Sequence, residues 1–221
     1  MKSVVGFTLA GLLLAAAVSL PLPASAGSAL AAIPVGRTMT YHVTSQSVTQ
    51  SGPQSGSHYI KFTHTTPTSF SVSVDGAPGQ TIAMGANGSL NVPPQLKTVL
   101  APFAQIGLLL RGAPQPLSAN ATWSVNLPVP IGDDTVNVPM IMRALQAAHT
   151  HATIAGSGSG STKIQPGVRQ FPTNVNATTN VSLGADFTIA SASSNVTIVV
   201  HVGRLGREKQ YSSSWTIAPA Q

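Results

Sequence analysis

The chain carries few side chains that could perform acid-base chemistry. Its 221 residues contain no cysteine and five acidic side chains, which are Asp75, Asp133, Asp134, Asp186 and Glu208. Glycoside hydrolysis and many proton transfers need two carboxyl groups at a controlled spacing. All five acids fall in predicted turns or at strand ends, where Asp side chains bond their own backbone. We interpret them as structural. The alternative, a catalytic or calcium-binding pair at Asp133 and Asp134, lacks nearby acids to supply the six or more oxygens that calcium takes.

Histidine is the next candidate for chemistry. His149 and His151 form a His-x-His arrangement, which puts both rings on one face if the segment is a strand. Neutral imidazole is a common ligand of zinc and copper, and the remaining histidines could join the pair: His42, His58, His64 and His201. No cysteine or adjacent carboxylate supports such a site. Solvent-facing histidines are therefore the favoured interpretation, a histidine-dependent metallohydrolase is the less favoured one, and no cofactor is predicted.

The tract from Gly156 to Ser161 alternates glycine and serine. It contains neither the Gly-x-Ser-x-Gly motif of a nucleophile elbow nor Ser-x-x-Lys, and it lacks the spacing of a phosphate-binding loop. Its composition is typical of a flexible linker. We therefore predict a flexible loop at 156–161, no catalytic residue, and a protein that is not an enzyme.

The composition excludes two further classes of protein. Charged residues make up 7% of the chain, against roughly 25% in an ordinary soluble domain. Hydrophobic residues reach 43%, which excludes a wholly disordered chain. The basic residues are spread out and aromatics are only 5%, so the clustered basic and stacking side chains of a nucleic-acid-binding protein are missing. Peripheral contact with an anionic envelope surface stays open as a weak interaction.

The first 26 residues have the pattern of an export signal. Lys2 supplies a positive start, Val4 to Leu20 an apolar stretch, and Ala24-Ser25-Ala26 a small-x-small cleavage site. We predict cleavage after Ala26 and a periplasmic or extracellular location in a bacterium. An uncleaved membrane anchor is the alternative, because the apolar run lies at the lower limit for crossing a bilayer. Residues 27–221 are predicted to form a single β-rich domain.

Alternation of apolar and polar residues dominates the rest of the chain and indicates β-strands. Phe70, Val72 and Val74 alternate with serines, and Asp75-Gly76 follows as a turn signal. A second hairpin joins strands around Trp123 to Leu127 and Val136 to Met142. Further strands are predicted at 175–183, 186–190, 195–202 and 210–217, separated by breaks at 184–185, 191–194 and 203–207. Their outer faces carry Ser, Thr and Asn in place of charges.

One segment departs from the β pattern. Between Pro93 and Arg111 apolar residues recur at spacings of three and four, with prolines at the start and Gly112 after the end, which predicts a helix. Pro102 lies inside it, so we expect a kink or two short helices. The predicted fold is mainly β: a curved antiparallel meander sheet or half-barrel with one helical segment, about 93–111, packed on its concave face.

A short stretch of the chain resembles known proteins. A pattern in uncharacterised exported bacterial β-rich proteins is similar to four successive parts of this chain. These parts are the turn Asn87-Gly88-Ser89-Leu90, the apolar run to Leu110, the proline-rich segment from Gly112 to Leu117, and Trp123. A curved antiparallel sheet with a helix on its hollow side is also similar to periplasmic lipoprotein carriers. This resemblance implies a concave face that holds acyl chains; it transfers no functional residue.

These observations predict a non-enzymatic envelope protein that binds a lipid or other apolar small molecule in a groove between sheet and helix. The groove is predicted to be lined by apolar side chains from both: Phe70, Val72, Leu100, Phe103, Ile106, Trp123 and Met140. If the same residues form a closed core, the alternative is a structural or adhesive extracellular β domain.

Overall fold

A computed structural model describes residues 35–49, 52–84, 90–114, 117–131, 134–148, 151–164, 171–184, 188–202 and 207–220. The predicted signal segment 1–26 lies outside these residues. Within them the strands are β1 (Thr38–Thr49), β2 (Gly52–Thr66), β3 (Ser69–Val74), β4 (Gln80–Met84), β5 (Leu90–Asn91), β6 (Thr122–Ile131), β7 (Asp134–Ala147), β8 (Ala152–Ile164), β9 (Phe171–Leu183), β10 (Ile189–Val202) and β11 (Arg207–Pro219). A 3-10 turn, Pro94–Leu96, leads into the helix α1, Lys97–Leu110.

The strands form one antiparallel sheet in the order β5-β4-β3-β2-β1-β11-β10-β9-β8-β7-β6. Among the described residues, the first strand, β1, and the last, β11, pair in the middle of the sheet, with Val43 opposite Ile217. The chain runs outward from β1 to one edge at β5, crosses through α1 to the other edge at β6, and returns strand by strand to β11. The predicted fold class is confirmed: the sheet is open, and α1 bridges its two edges.

Alternation along the strands separates an apolar face from a hydroxylated one. In β9, Val175, Ala177 and Val181 are buried, while Asn176 and Thr178 between them are exposed. Hydroxyls of neighbouring strands also bond to each other on the outer face, as Thr44 Oγ1 and Thr216 Oγ1 do at 2.6 Å. The outer face of the sheet therefore meets water through neutral polar side chains, as the sequence predicts.

The helix covers the apolar face and is buried on nearly all sides. Leu100, Phe103, Ile106 and Leu109 of α1 are at most 5% exposed. The helix continues through Pro102 as one element, so the division into two short helices is not observed. It ends at Leu110, and Gly112 adopts a positive φ of 85° in the turn that follows, a conformation that glycine reaches without steric cost.

The prediction of a flexible loop at 156–161 is wrong, because these residues form the middle of strand β8. Ser157, Ser159 and Ser161 point outward and are exposed, whereas the glycines face the concave side. At Gly158 a Cβ atom would collide with the carbonyl oxygen of Pro139. The backbone of β7 therefore bends over the concave side of β8, and glycine is needed for that close approach.

The predicted break at 191–194 is also wrong, since β10 continues through it from Ile189. Only a register shift between Ile189 and Ser191 interrupts its pairing with β9. Serine clusters usually indicate loops, but here Ala192 and Ser194 point to the concave side and are buried.

The open edges of the sheet are protected against pairing with other strands. β5 contains only two residues. At the other edge, the bond from Ala144 N–H to the carbonyl oxygen of Ala121 shows that odd-numbered residues of β6 direct their backbone groups toward β7. Pro128 and Pro130 therefore lie at positions that face the free edge, where they remove two N–H donors.

Candidate functional site

The helix α1 is held against both halves of the sheet by aromatic side chains. On the β6 side, the indole N–H of Trp123 donates to the carbonyl oxygen of Leu109 at 2.9 Å. On the other side, the ring of Phe103 packs edge-on against Tyr41 and Phe62, with centroid distances of 5.5 and 5.1 Å. Burial raises the pKa of the Tyr41 hydroxyl, which is consistent with a tightly packed contact.

The structure places all seven predicted groove residues in the hydrophobic core. Phe70, Val72, Leu100, Phe103, Ile106, Trp123 and Met140 are between 0% and 8% exposed and belong to one contiguous cluster around α1. Phe103 of α1 contacts β1 and β2, and Trp123 of β6 contacts α1 from the opposite half of the sheet. The helix therefore connects the predicted groove residues of the two halves. None of the seven lines the cavity that lies beside α1.

A partly open cavity lies beside α1, where the edge strand β6 curls over the middle of the sheet. We call it the helix-edge cavity. Its volume is about 50 Å³, and it is lined by Gln105 of α1, Leu127, Pro128, Val129 and Pro130 of β6, Ser194, Val196 and Ile198 of β10, and Ser213 and Trp215 of β11. Three strands separate β6 from β10 in the sheet order. Both can line one cavity only because the sheet is strongly curved.

The lining is apolar except for Ser213 and for one end, where three buried side chains form a hydrogen-bonded chain. The indole N–H of Trp215 donates to Gln105 Oε1 at 2.8 Å. Since indole can only donate, this contact fixes the orientation of the Gln105 amide. Gln105 Nε2 then donates to Ser194 Oγ at 3.1 Å. Gln105, Ser194 and Trp215 are 8%, 5% and 7% exposed, so the chain forms the buried polar end of the cavity.

The helix-edge cavity offers only uncharged groups to a molecule that enters it. The ten lining residues include no acid, histidine, lysine or arginine. Ser194 therefore has no base among them that could activate its hydroxyl as a nucleophile. The cavity offers an apolar wall and a few neutral hydrogen-bonding groups, which is the usual composition of a small-molecule binding site.

The less favoured histidine and carboxylate candidates form no metal site among the residues that the structure describes. His151 is exposed in the connection between β7 and β8, so it does not lie in a strand, while His149, Asp133 and Asp186 lie outside the described residues. Across the described ranges, no three His or acidic side chains come together as metal ligands. Glu208, on β11, lies 3.4 Å from the ring of His201.

Asp75 forms an exposed hydrogen-bonded pair with His58 at the start of the turn after β3. Its Oδ2 lies 2.7 Å from His58 Nδ1, and its Oδ1 accepts the backbone N–H of Tyr59 at 2.8 Å. The hydrogen bond from His58, followed by that of the backbone, lowers the pKa of the Asp75 carboxyl. Asp75 also has a positive φ of 52°, which suits the tight turn that the sequence predicts here.

Replacing Asp75 with asparagine is expected to change the acid dependence of stability slightly. A carboxylate with a lowered pKa stabilises the fold above its ordinary value of 3.8, and this contribution is lost as the pH falls through the folded-state pKa. Both partners are exposed, so solvent screening keeps the effect small. Thermal melts from pH 7 to 2 should show a constant difference between wild type and Asp75→Asn above pH 5 that disappears at the acid end. A difference that persists to pH 2 would contradict the assignment.

Sequence reasoning missed the residues of the helix-edge cavity. A signal for Gln105 was present, because it is the one polar residue in the apolar run from Val99 to Leu110. The alternation in β11 correctly predicts that Trp215 is buried. Alternation does not indicate which of the buried residues faces a cavity. Ser194 fell in a predicted break. The role of β6 depends on curvature of the sheet, which the local pattern does not encode.

Comparison of the chain with protein-family models, with curated proteins and with solved structures finds no match. In the part of the chain that the structure describes, no helix has both the length and the apolar character needed to span a membrane.

Proposed function

We propose that this protein is an exported, non-enzymatic binding protein of the bacterial envelope, which holds a lipid or another hydrophobic ligand between α1 and the concave face of its sheet. The helix-edge cavity carries this proposal. It lies at the border between helix and sheet, its walls are apolar, and a neutral polar group closes one end. The export pattern in residues 1–26 supports an envelope location.

The size of the cavity defines what ligand binding requires. Its 50 Å³ is far below the roughly 300–1,000 Å³ of sites that enclose a small molecule. A ligand therefore requires α1 to shift, with Gln105 staying within hydrogen-bond reach of the cavity. The helix is joined to the sheet by side-chain contacts such as Trp123 to Leu109 and Trp215 to Gln105. It has no place in the strand ladder, so it can shift while the sheet keeps its backbone hydrogen bonds.

Titration with N-phenyl-1-naphthylamine, a neutral probe that fluoresces in apolar surroundings, tests this proposal. We expect saturable uptake of one probe per chain, with a dissociation constant on the order of 1 to 100 µM for a ligand of this size. A long-chain fatty-acid ester should displace it. Folded protein that shows no saturable uptake would refute the proposal.

A structural or adhesive β domain is the second candidate, and the complete burial of the seven core residues around α1 favours it. In that case α1 is a permanent part of the core and the cavity holds only solvent. The probe titration separates the two candidates, because a closed core gives no displaceable fluorescence.

A further inference from the structure

The polar end of the helix-edge cavity has hydrogen-bond donors in excess. The Ser194 hydroxyl accepts a hydrogen bond from Gln105 Nε2. Among the residues that the structure describes, no acceptor receives a hydrogen bond from the Ser194 hydroxyl. Gln105 Nε2 carries two protons and gives one of them to Ser194. Its Oε1 is already bonded to Trp215. Two donor protons, one from Ser194 and one from Gln105, are therefore left at a site that is at least nine-tenths buried.

Buried donors at the end of the cavity determine which functional group a ligand must bring. Buried polar groups are costly when unsatisfied, so the occupant of the cavity should bring an acceptor. A carboxylate is disfavoured, since no lining side chain carries a positive charge to compensate its burial. An ammonium group is disfavoured because no lining side chain carries a negative charge, and because an ammonium has no acceptor to offer the donors. A neutral oxygen acceptor attached to an apolar body fits both the donors and the walls.

We infer that the ligand is an uncharged acyl ester whose carbonyl oxygen accepts the hydrogen bonds of Ser194 and Gln105, while its hydrocarbon chain lies along Leu127, Val129 and Ile198. This inference rests on the proposed function and specifies the ligand class for that site. Water is the competing occupant, because about 50 Å³ has room for one or two molecules that could take the same donors.

The test compares two volatile probes of similar size, methyl octanoate and decane, by headspace gas chromatography over the full-length mature chain. Ser194→Ala is expected to weaken binding of the ester by about threefold to tenfold, the value of one hydrogen bond, and to leave binding of decane within about twofold. Ser212→Ala serves as the matched control, because Ser212 lies on β11 next to Ser213 but on the opposite face of the sheet. It should change neither value.

A second substitution guards against damage to the fold. Ser194→Cys keeps the size of the side chain but replaces the hydroxyl with a weak donor, so it should reproduce the selective loss of ester binding. If ester and alkane binding change equally, or neither changes, the inference is wrong and the donors are hydrated. If wild type binds neither probe, the proposed function itself fails.

Discussion

Gly158→Ala is expected to destabilise the folded protein by about 3 kcal/mol, the upper end of what overpacking usually costs. A Cβ at this position meets the carbonyl oxygen of Pro139 and lies 2.9 Å from Met140 Sδ. The sulfur can move, but the carbonyl belongs to the backbone of β7, and shifting it disturbs the pairing between β7 and β8. For a domain of this size, each kcal/mol lowers the melting temperature by roughly 2 to 4 °C, so we expect a decrease of about 6 to 12 °C.

Gly160→Ala is the matched control, two residues along the same strand and on the same face. The nearest atoms to a Cβ there, Asn137 O and Val136 Cγ1, lie at 3.5 and 3.6 Å, which is ordinary van der Waals contact. Alanine should be neutral at this position or stabilise by about 0.5 kcal/mol, because it reduces the freedom of the unfolded chain. Equal melting temperatures for the two variants would show that residues 156–161 behave as a linker.

Val196→Phe is expected to weaken binding of N-phenyl-1-naphthylamine by tenfold or more. Val196 is partly buried, packs against the core and lines the helix-edge cavity. A phenyl ring adds roughly four heavy atoms to a space that holds one or two waters, so it fills the site from the sheet side and competes with the probe. Fluorescence titration of the purified variant measures the effect.

Val199→Phe is the control variant, because it makes the same valine-to-phenylalanine change in the same strand, β10, but outside the cavity. Val199 pairs with Asn174 and Gln210 and points to the outer face, opposite to Val196. This variant should bind the probe as wild type does. Equal affinities of the two variants would place the probe outside the helix-edge cavity.

The sequence predicts most of the architecture because the two periodicities in it are local. The β3 turn at Asp75, the β6–β7 hairpin and the helix α1 are all found near their predicted positions. Each is encoded by alternation or by spacings of three and four within about twenty residues. The sequence analysis predicts no individual strand at the positions of β1, β2, β4, β5 or β8.

The wrong predictions at 156–161 and 191–194 have a common physical cause. The composition of each segment as a whole is typical of a loop, but its alternate residues face opposite sides of the sheet. In 156–161 the alternation of Gly and Ser is itself a period of two, with glycines on the crowded concave side and serines in solvent. The serines at 191–194 divide in the same way between the two faces of β10. The helix-edge cavity depends on contacts between residues nearly ninety positions apart, such as Gln105 and Ser194. Local pattern carries no information on such contacts.

Native mass spectrometry of the protein extracted gently from its own host tests the central claim most directly. We predict that wild-type protein and Val199→Phe retain a neutral lipid at up to one molecule per chain, and that Val196→Phe does not. Wild-type protein that is folded and carries no such lipid, from cells in which it is fully exported, would contradict a ligand site between α1 and the sheet.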